Sequence, residues 1–404
     1  GLYTEKDGGK KMNNFEYYTP TRMIFGKDTH KKAGEVISAY GFKKVLLHYG
    51  MGSVKKSGLY GEVTDALKAA DISYIELGGV CPNPKLAKVK EGIELCRENG
   101  VDFILAVGGG SVIDSAKLIA AGRLYDGDPW DFSLKKQTPK AALPVGCILT
   151  IAASGSEMSD SCVISNDGLK RGFSCELNRP LFSICNPCLT YTVSPYQTAC
   201  GIVDIMMHTA ERYFTVSEPF DVTDEIAEGI LRSVIRCGRA VMKDPCDYEA
   251  RANLMWAGSL SHNSLTGAGT KVMMVCHQLE HELSGMFDSV AHGAGLAVIF
   301  PAWEKYIYKY NPQRFAKFAM NVWAVPDGGR TAGEIAKDGI DRCEDFFKNC
   351  LKMPVRLSGL GINVSDGDIR TMSEKCTNYG KRTLDDYTVL AENEIAEIFK
   401  IARG

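Results

Sequence analysis

The feature that most constrains this chain is a change of periodicity near Pro195. Before it, short apolar runs alternate with amphipathic helical patterns. Residues 44–49 read as a buried strand closed by Gly50 and Gly52, 63–70 as a helix, and 72–77 as a strand. Residues 85–99 carry Val89, Ile93 and Cys96 at helical spacing and stop at Gly100, after which 103–107 form the next strand. Such alternation predicts a parallel sheet with helices on both faces. After Pro195 only helical patterns remain: 195–214, 223–242 with Thr223-Asp224 as its cap, 248–265, 271–286 and 293–310. No linker, repeat or low-complexity stretch separates the halves. An α/β domain over 12–192 is therefore expected to pack tightly on an all-α domain over 193–404.

A length of 404 residues suits more than one domain, and 45% apolar with 24% charged residues is ordinary for a globular chain. The net charge of -2 gives no general attraction to nucleic acid or an anionic membrane. The uncharged run 293–303 is too short to span a bilayer. The segment before Met12 has no apolar export core, and Met12 is either a natural start or an internal one. Fourteen scattered cysteines then read as reduced thiols in the cytoplasm, the Cys185/Cys188 pair included. Residues 15–25, rich in Tyr, Thr and Phe, suggest an edge strand or hairpin open to a partner subunit.

The strand 103–107 runs into Gly108-Gly109-Gly110-Ser111, and Asp114 and Lys117 follow. A strand that ends in glycines and opens a helix lets backbone N–H groups approach a phosphate, with the helix dipole in support. After the first strand, Gly50-Met51-Gly52-Ser53-Val54-Lys55-Lys56 lacks the acidic residue that grips a ribose 2′-hydroxyl. A small hydroxyl and two lysines suit a 2′-phosphate instead, which favours NADP over NAD. Thr150 and Ser154 follow a third strand, where their hydroxyls can bond either a cofactor or local backbone.

Seven histidines occur in the chain, three of them within 277–292. Asp204 and His208 lie four apart in a helical pattern, as do His277 and His281, and each pair shares one helix face. His292 follows. Buried polar groups need partners, and a shared cation supplies them. Five candidates exceed the three or four ligands of an open catalytic site, and spacing does not say which stays free.

These motifs together resemble the iron-containing (group III) alcohol dehydrogenases, in particular their NADP(H)-dependent butanol dehydrogenase branch. The resemblance covers nearly the whole chain. It rests on Pro82-Asn83-Pro84, the GGGS-x-x-D-x-A-K run at 108–117, SGSE at 154–157, Asn186 to Thr190, Asp204 to His208, His277 to His281, and His292 to Gly295. It implies a Rossmann-like domain, a helical domain of dehydroquinate synthase-like architecture, and a cleft between them. It implies Asp204, His208, His277 and His292 as ligands of one divalent ion, commonly Fe2+ and in some members Zn2+. By the same likeness His281 is a free histidine on the substrate side, available for proton delivery or substrate positioning. Asn83, Gly109, Gly110, Ser111, Thr150, Ser154 and Lys170 are implied as cofactor contacts, and the assembly as a homodimer.

Three departures from the family pattern stand out: Ser154 replaces a threonine, Met51 replaces a glycine, and the stretch 282–291 is one residue longer, with Ser289 the extra one. The expected substrate is a small, mostly apolar alcohol or aldehyde. Met206, Met207, Met273, Met274, Met286 and Phe287 surround the metal motifs in sequence, with Lys271 the main cation. A polyol or polyol-phosphate dehydrogenase of the same fold needs more cations there. A non-catalytic scaffold with a structural metal is the remaining alternative, and it usually closes its site with tightly spaced ligands.

Overall fold

The computed structural model describes residues 13–217 and 219–404; Met12 and the residues before it lie outside this range. The strands, in chain order, are β1 (Arg22–Phe25), β2 (Lys44–Gly50), β3 (Ser73–Val80), β4 (Phe103–Gly108), β5 (Val145–Leu149), β6 (Ser161–Asn166), β7 (Leu169–Ser174) and β8 (Phe182–Cys185). Six of them form one sheet in the order β1-β8-β5-β4-β2-β3, every pair parallel. Neighbouring residues on β2 and β4 serve opposite faces. Leu46, Ile104 and Ala106 pack with α2 (Leu86–Asn99) and α3 (Gly110–Arg123). Val45, Leu47 and Leu105 pack with Val63 and Leu67 of α1 (Leu59–Ala69). Burial on both faces is why these strands read as continuous apolar runs rather than alternating ones.

The other two strands, β6 and β7, form a separate antiparallel hairpin. Periodicity gives no sign of it. Its local signal is Asp167-Gly168, both at positive φ (47° and 70°), the two-residue turn that a right-twisted hairpin favours.

The second half is helical: α4 (Pro195–Tyr213), α5 (Asp221–Val241), α6 (Tyr248–Ser261), α7 (Val275–Met286), α8 (His292–Ile307), then α9 (Pro312–Trp323), α10 (Ala332–Asp345), α11 (Asp366–Cys376) and α12 (Glu392–Arg403). Helix α4 starts where Pro195 follows the Ser194 cap, whose side chain accepts the Gln197 N–H at 3.2 Å. Its apolar side chains join those of α8 in one core that includes Val203, Met206, Met207, Leu296, Ile299 and Trp303.

Several sequence expectations need correction. Thr223 and Asp224 do not cap α5: the Thr223 hydroxyl donates to the Ala268 carbonyl, and Asp224 accepts from Arg314 and Lys317. Helix α7 begins at Val275, not 271, after Met274 in the left-handed region (φ 52°). The reason is tertiary: Glu211 Oε1 accepts the N–H of Cys276 at 2.6 Å and of His277 at 3.3 Å, groups that a local cap would otherwise serve. Residues 15–25 form no hairpin. Only Arg22–Phe25 is a strand, at the sheet edge beside β8, while Phe15 packs edge-on against Phe220 at 5.6 Å. Met206 and Met207 are core rather than substrate-facing. All fourteen cysteines are free, and no helix among the described residues is long and apolar enough to cross a membrane.

Candidate active site

The carboxyl ends of β2, β4 and β5 open into a cleft of about 1150 Å³ whose far wall is helical. This is where an open α/β sheet binds ligands. Gly50, Gly52 and Ser53 follow β2 into it, and Asn83 follows β3. Gly109, Gly110, Ser111 and Asp114 enter after β4, Thr150 and Ser154 after β5, and Lys170 from β7. Asp204, His208, His277, His281 and His292 line the same cleft.

The wall around the glycines is tight. A Cβ on Gly110 would stand 2.2 Å from Ser154 Oγ and 3.1 Å from Ser154 Cβ, so a side chain at 110 would have to displace the Ser154 hydroxyl from the start of α3. A buried network fixes that loop. Lys117 Nζ donates to Ser156 Oγ (2.9 Å), Ser159 O (3.0 Å) and Ser161 O (2.8 Å). Asp114 accepts from Ser156 Oγ at 2.5 Å and from the Val163 N–H at 2.9 Å. Burial raises the pKa of Asp114 and lowers that of Lys117, each opposed by the charge of the other.

The basic turn behaves differently from its sequence reading. Neither Lys55 nor Lys56 is among the residues that line the cleft. Lys55 Nζ lies 3.6 Å from Glu76 and over the rings of Tyr60 and Tyr49, at 4.7 and 5.2 Å. Met51 stands at the cleft mouth, 76% exposed.

At the helical wall, Asp204 Oδ1 is surrounded by ring nitrogens: His208 Nδ1 at 3.0 Å, His277 Nε2 at 3.5 Å and His292 Nε2 at 3.6 Å. Asp204 Oδ1 and His277 Nε2 are both buried, and neither has a hydrogen-bond partner. Two facing buried polar atoms without partners fit a shared cation, which would satisfy both. The outer nitrogens are tied back. His277 Nδ1 bonds Glu211 and His292 Nδ1 bonds Glu280, so each ring presents Nε2 inward. A carboxylate behind a ligating imidazole is the usual support of a metal centre. His208 Nδ1 also contacts the Asp204 carbonyl oxygen at 3.0 Å, and Arg212 donates to the His208 carbonyl at 2.6 Å.

Charge follows this geometry. Burial would raise the Asp204 carboxyl, but His208 and then His292 hold it well below the usual range. Burial also opposes protonation of His277, yet Glu211 and Asp204 on its two sides push it to about 9. Burial lowers His208 to about 4. His281, one turn beyond His277, has its ring centroid 6.4 Å from His277 and 5.6 Å from His292, and with Glu280 and His292 it forms a second group of possible ligands beside that of Asp204, His208 and His277. Burial, then the neighbouring Lys170 charge, keeps it well below its ordinary value.

Asp288 and Ser289 are exposed while Val290 is buried, and His292 still reaches to 3.6 Å from Asp204. Lys170 sits against this cluster, Nζ within 3.4 Å of Glu280 and of His292 Nδ1.

Sequence reasoning missed four residues here: His262, Glu211, Glu280 and Arg212. His262 stacks on His208 with centroids 4.1 Å apart and bonds the Ser154 carbonyl at 2.7 Å. It stands alone in sequence, and nothing local marks it. Glu211 was accessible, because Asp204, His208 and Glu211 at i, i+4 and i+7 share one helix face.

Residues 20–187 match the family described as iron-containing alcohol dehydrogenase, and 198–403 match the C-terminal region of the same family. The chain belongs to the iron-containing alcohol dehydrogenase family. It is 42% identical to NADH-dependent butanol dehydrogenase A of Clostridium acetobutylicum over 96% of its own length and 99% of the relative. It is 36% identical to the NADPH-dependent aldehyde reductase YqhD of Escherichia coli, over 97% and 100%. The crystal structure of NADH-dependent butanol dehydrogenase A from Thermotoga maritima superposes with a TM-score of 0.92 at 39% identity, covering 98% of this chain and all of the other. As a family member, this chain is an oxidoreductase of the alcohol dehydrogenase and aldehyde reductase type, a class that works with a nicotinamide cofactor and an iron-type metal.

Proposed function

We propose that this chain reversibly reduces small, mostly apolar aldehydes with NADPH, using one divalent ion held by Asp204, His208, His277 and His292. The observation that carries this reading is the partnerless pair Asp204 Oδ1 and His277 Nε2, buried at 3.5 Å on the wall of a dinucleotide-sized cleft. Fe2+ is the first choice of ion, with Zn2+ as the alternative. A cation there supplies Lewis-acid polarisation of the carbonyl oxygen. The backbone of Gly109 to Ser111 takes the pyrophosphate, and Asn83, Asp114, Thr150, Ser154 and Lys170 line the rest of the cofactor's path. Gly50, Gly52 and Ser53 take the adenosine ribose. His281, held neutral by its burial, positions the substrate or relays the proton through its two ring nitrogens.

Two features support a small uncharged substrate. Lys170 and Arg212 are the cationic side chains among the lining residues; Lys170 Nζ lies 3.4 Å from Glu280, while Arg212 donates to the His208 carbonyl, which does not neutralise its charge. Among the described residues, one paired lysine and one arginine do not make the cation cluster that a phosphorylated polyol would need. The names of the similar proteins, butanol dehydrogenase and aldehyde reductase, point the same way. The free thiols and the β1 edge support a cytoplasmic homodimer.

NADH is a second reading of the cofactor, favoured by the engagement of Lys55 with Glu76 and by the NADH-dependent relatives. A substrate panel with NADPH and NADH side by side, on protein of measured metal content, separates the two. Replacing Asp204 or His208 with Ala should remove metal and turnover together while NADPH still binds. Full aldehyde reduction by a metal-free variant would refute the mechanism.

A further inference from the structure

Glu62 lies in the first turn of α1, which follows the β2 turn, and it lines the cleft near Val54, Leu59 and Leu189. Its side chain is half exposed, yet a buried histidine holds it. His30, 3% exposed, places Nε2 at 2.6 Å from Glu62 Oε2, and its Nδ1 lies 3.1 Å from Asn186 Nδ2. The proton assignment follows from the chain of contacts. Asn186 Oδ1 accepts the Cys188 N–H at 3.1 Å, which points the amide NH2 at His30. His30 Nδ1 is then the acceptor, and the ring proton on Nε2 is donated to the carboxylate. Glu62 Oε1 has no hydrogen-bond partner among the described residues.

We propose that Glu62 accepts a hydrogen bond from the exocyclic amine of the cofactor's adenine ring, with His30 and Asn186 as positioning residues. This rests on the reading above, in which the adenosine half lies at the β2 turn. The neighbours favour the base over the sugar. Gly50, Gly52 and Ser53 line the turn assigned above to the ribose, whereas Val54 and Leu59, both buried, and the part-exposed Leu189 form an apolar lining on which a flat purine can rest. Asn186 caps the short turn that carries Leu189, so one chain of hydrogen bonds ties both sides of the slot together. A fixed carboxylate welcomes the 6-amino group of adenine and repels the 6-oxo group of hypoxanthine.

The test is binding of NADPH and of its reduced hypoxanthine analogue to the metal-loaded full chain, followed by nicotinamide fluorescence. The native protein should bind the adenine form about tenfold more tightly, the size of one hydrogen bond to a charged acceptor. In Glu62→Gln, whose amide can donate to a 6-oxo group, that preference should vanish or invert. His30→Ala should shrink it while leaving Glu62 in place. Equal affinities in the native protein overturn the proposal without touching the cofactor reading. So does a Glu62→Gln variant that keeps the native ratio and gains only in NADPH over NADH, because the carboxylate would then act at the ribose. Failure of both dinucleotides to bind overturns the underlying cofactor reading itself.

Discussion

Replacing Glu211 with Gln is the most searching test of the metal cluster. One carboxylate does two jobs: Oε2 holds His277 Nδ1, and Oε1 accepts the Cys276 and His277 N–H groups at 2.6 and 3.3 Å. Glutamine has one acceptor oxygen. If that oxygen stays on the backbone donors, the NH2 faces His277 Nδ1, and the ring must put its proton on Nε2, towards Asp204. If the amide turns round, two buried backbone donors at the start of α7 lose their acceptor. Either way the inward nitrogen is compromised, or its helix is. Loss of a partner behind a metal ligand typically costs 10–100-fold in affinity, about 1.4–2.7 kcal/mol. The assay is anaerobic competition for Fe2+ against a chromophoric chelator, repeated with Zn2+, and with circular dichroism of the metal-free proteins as a control for folding. A folded Glu211→Gln variant with native metal affinity would refute the argument that this carboxylate orients His277 for a cation.

Gly293→Ala probes the same site from the backbone. Its Cβ would stand 2.1 Å from the Cys200 carbonyl oxygen, so α8 must move off α4 and take His292 from Asp204. The expected cost is about 1–3 kcal/mol in thermal or denaturant stability, with reduced metal content; native values for both would show that the helices have slack. His48 predicts a pH effect. Its Nδ1 bonds the Leu77 carbonyl and its Nε2 bonds Ser115, each at 2.8 Å, and burial lowers its pKa from 6.5 to about 4. The unfolded chain takes that proton first, so this contribution is full above pH 6.5 and is lost as pH falls towards 4. The loss reaches at most about 3 kcal/mol. Denaturant melts of the native protein and of His48→Asn across that window should differ in slope, and equal slopes would rule His48 out. Lys55→Ala should change the NADPH/NADH affinity ratio by less than about twofold, because the side chain is committed to a half-exposed pair with Glu76. A tenfold drop would mean that Lys55 swings to the cofactor.

Much of this protein is legible one segment at a time. Continuous apolar runs at 44–49 and 103–107 identify buried parallel strands, because both faces of that sheet are covered. Spacing of four along a helix is enough to put Asp204 with His208 and His277 with His281 on common faces. The glycine run at 108–110 marks where the first helix of the cradle opens.

What periodicity cannot carry is contact across the chain. The start of α7 is set by Glu211, about 65 residues away. His262 meets His208 only because α6 ends against the Ser154 loop. Lys55, which reads as a phosphate ligand beside Ser53, is drawn off by Glu76 on the neighbouring strand. The division has one physical cause. Backbone geometry repeats locally, so it writes itself into spacing, and the sequence alone determined the main strands and helices, the change of periodicity near Pro195 and five candidate ligands. The partner of a buried charge is whatever desolvated group lies nearest in space. Only the tertiary structure could therefore decide which imidazoles turn towards Asp204 and which carboxylates hold them there.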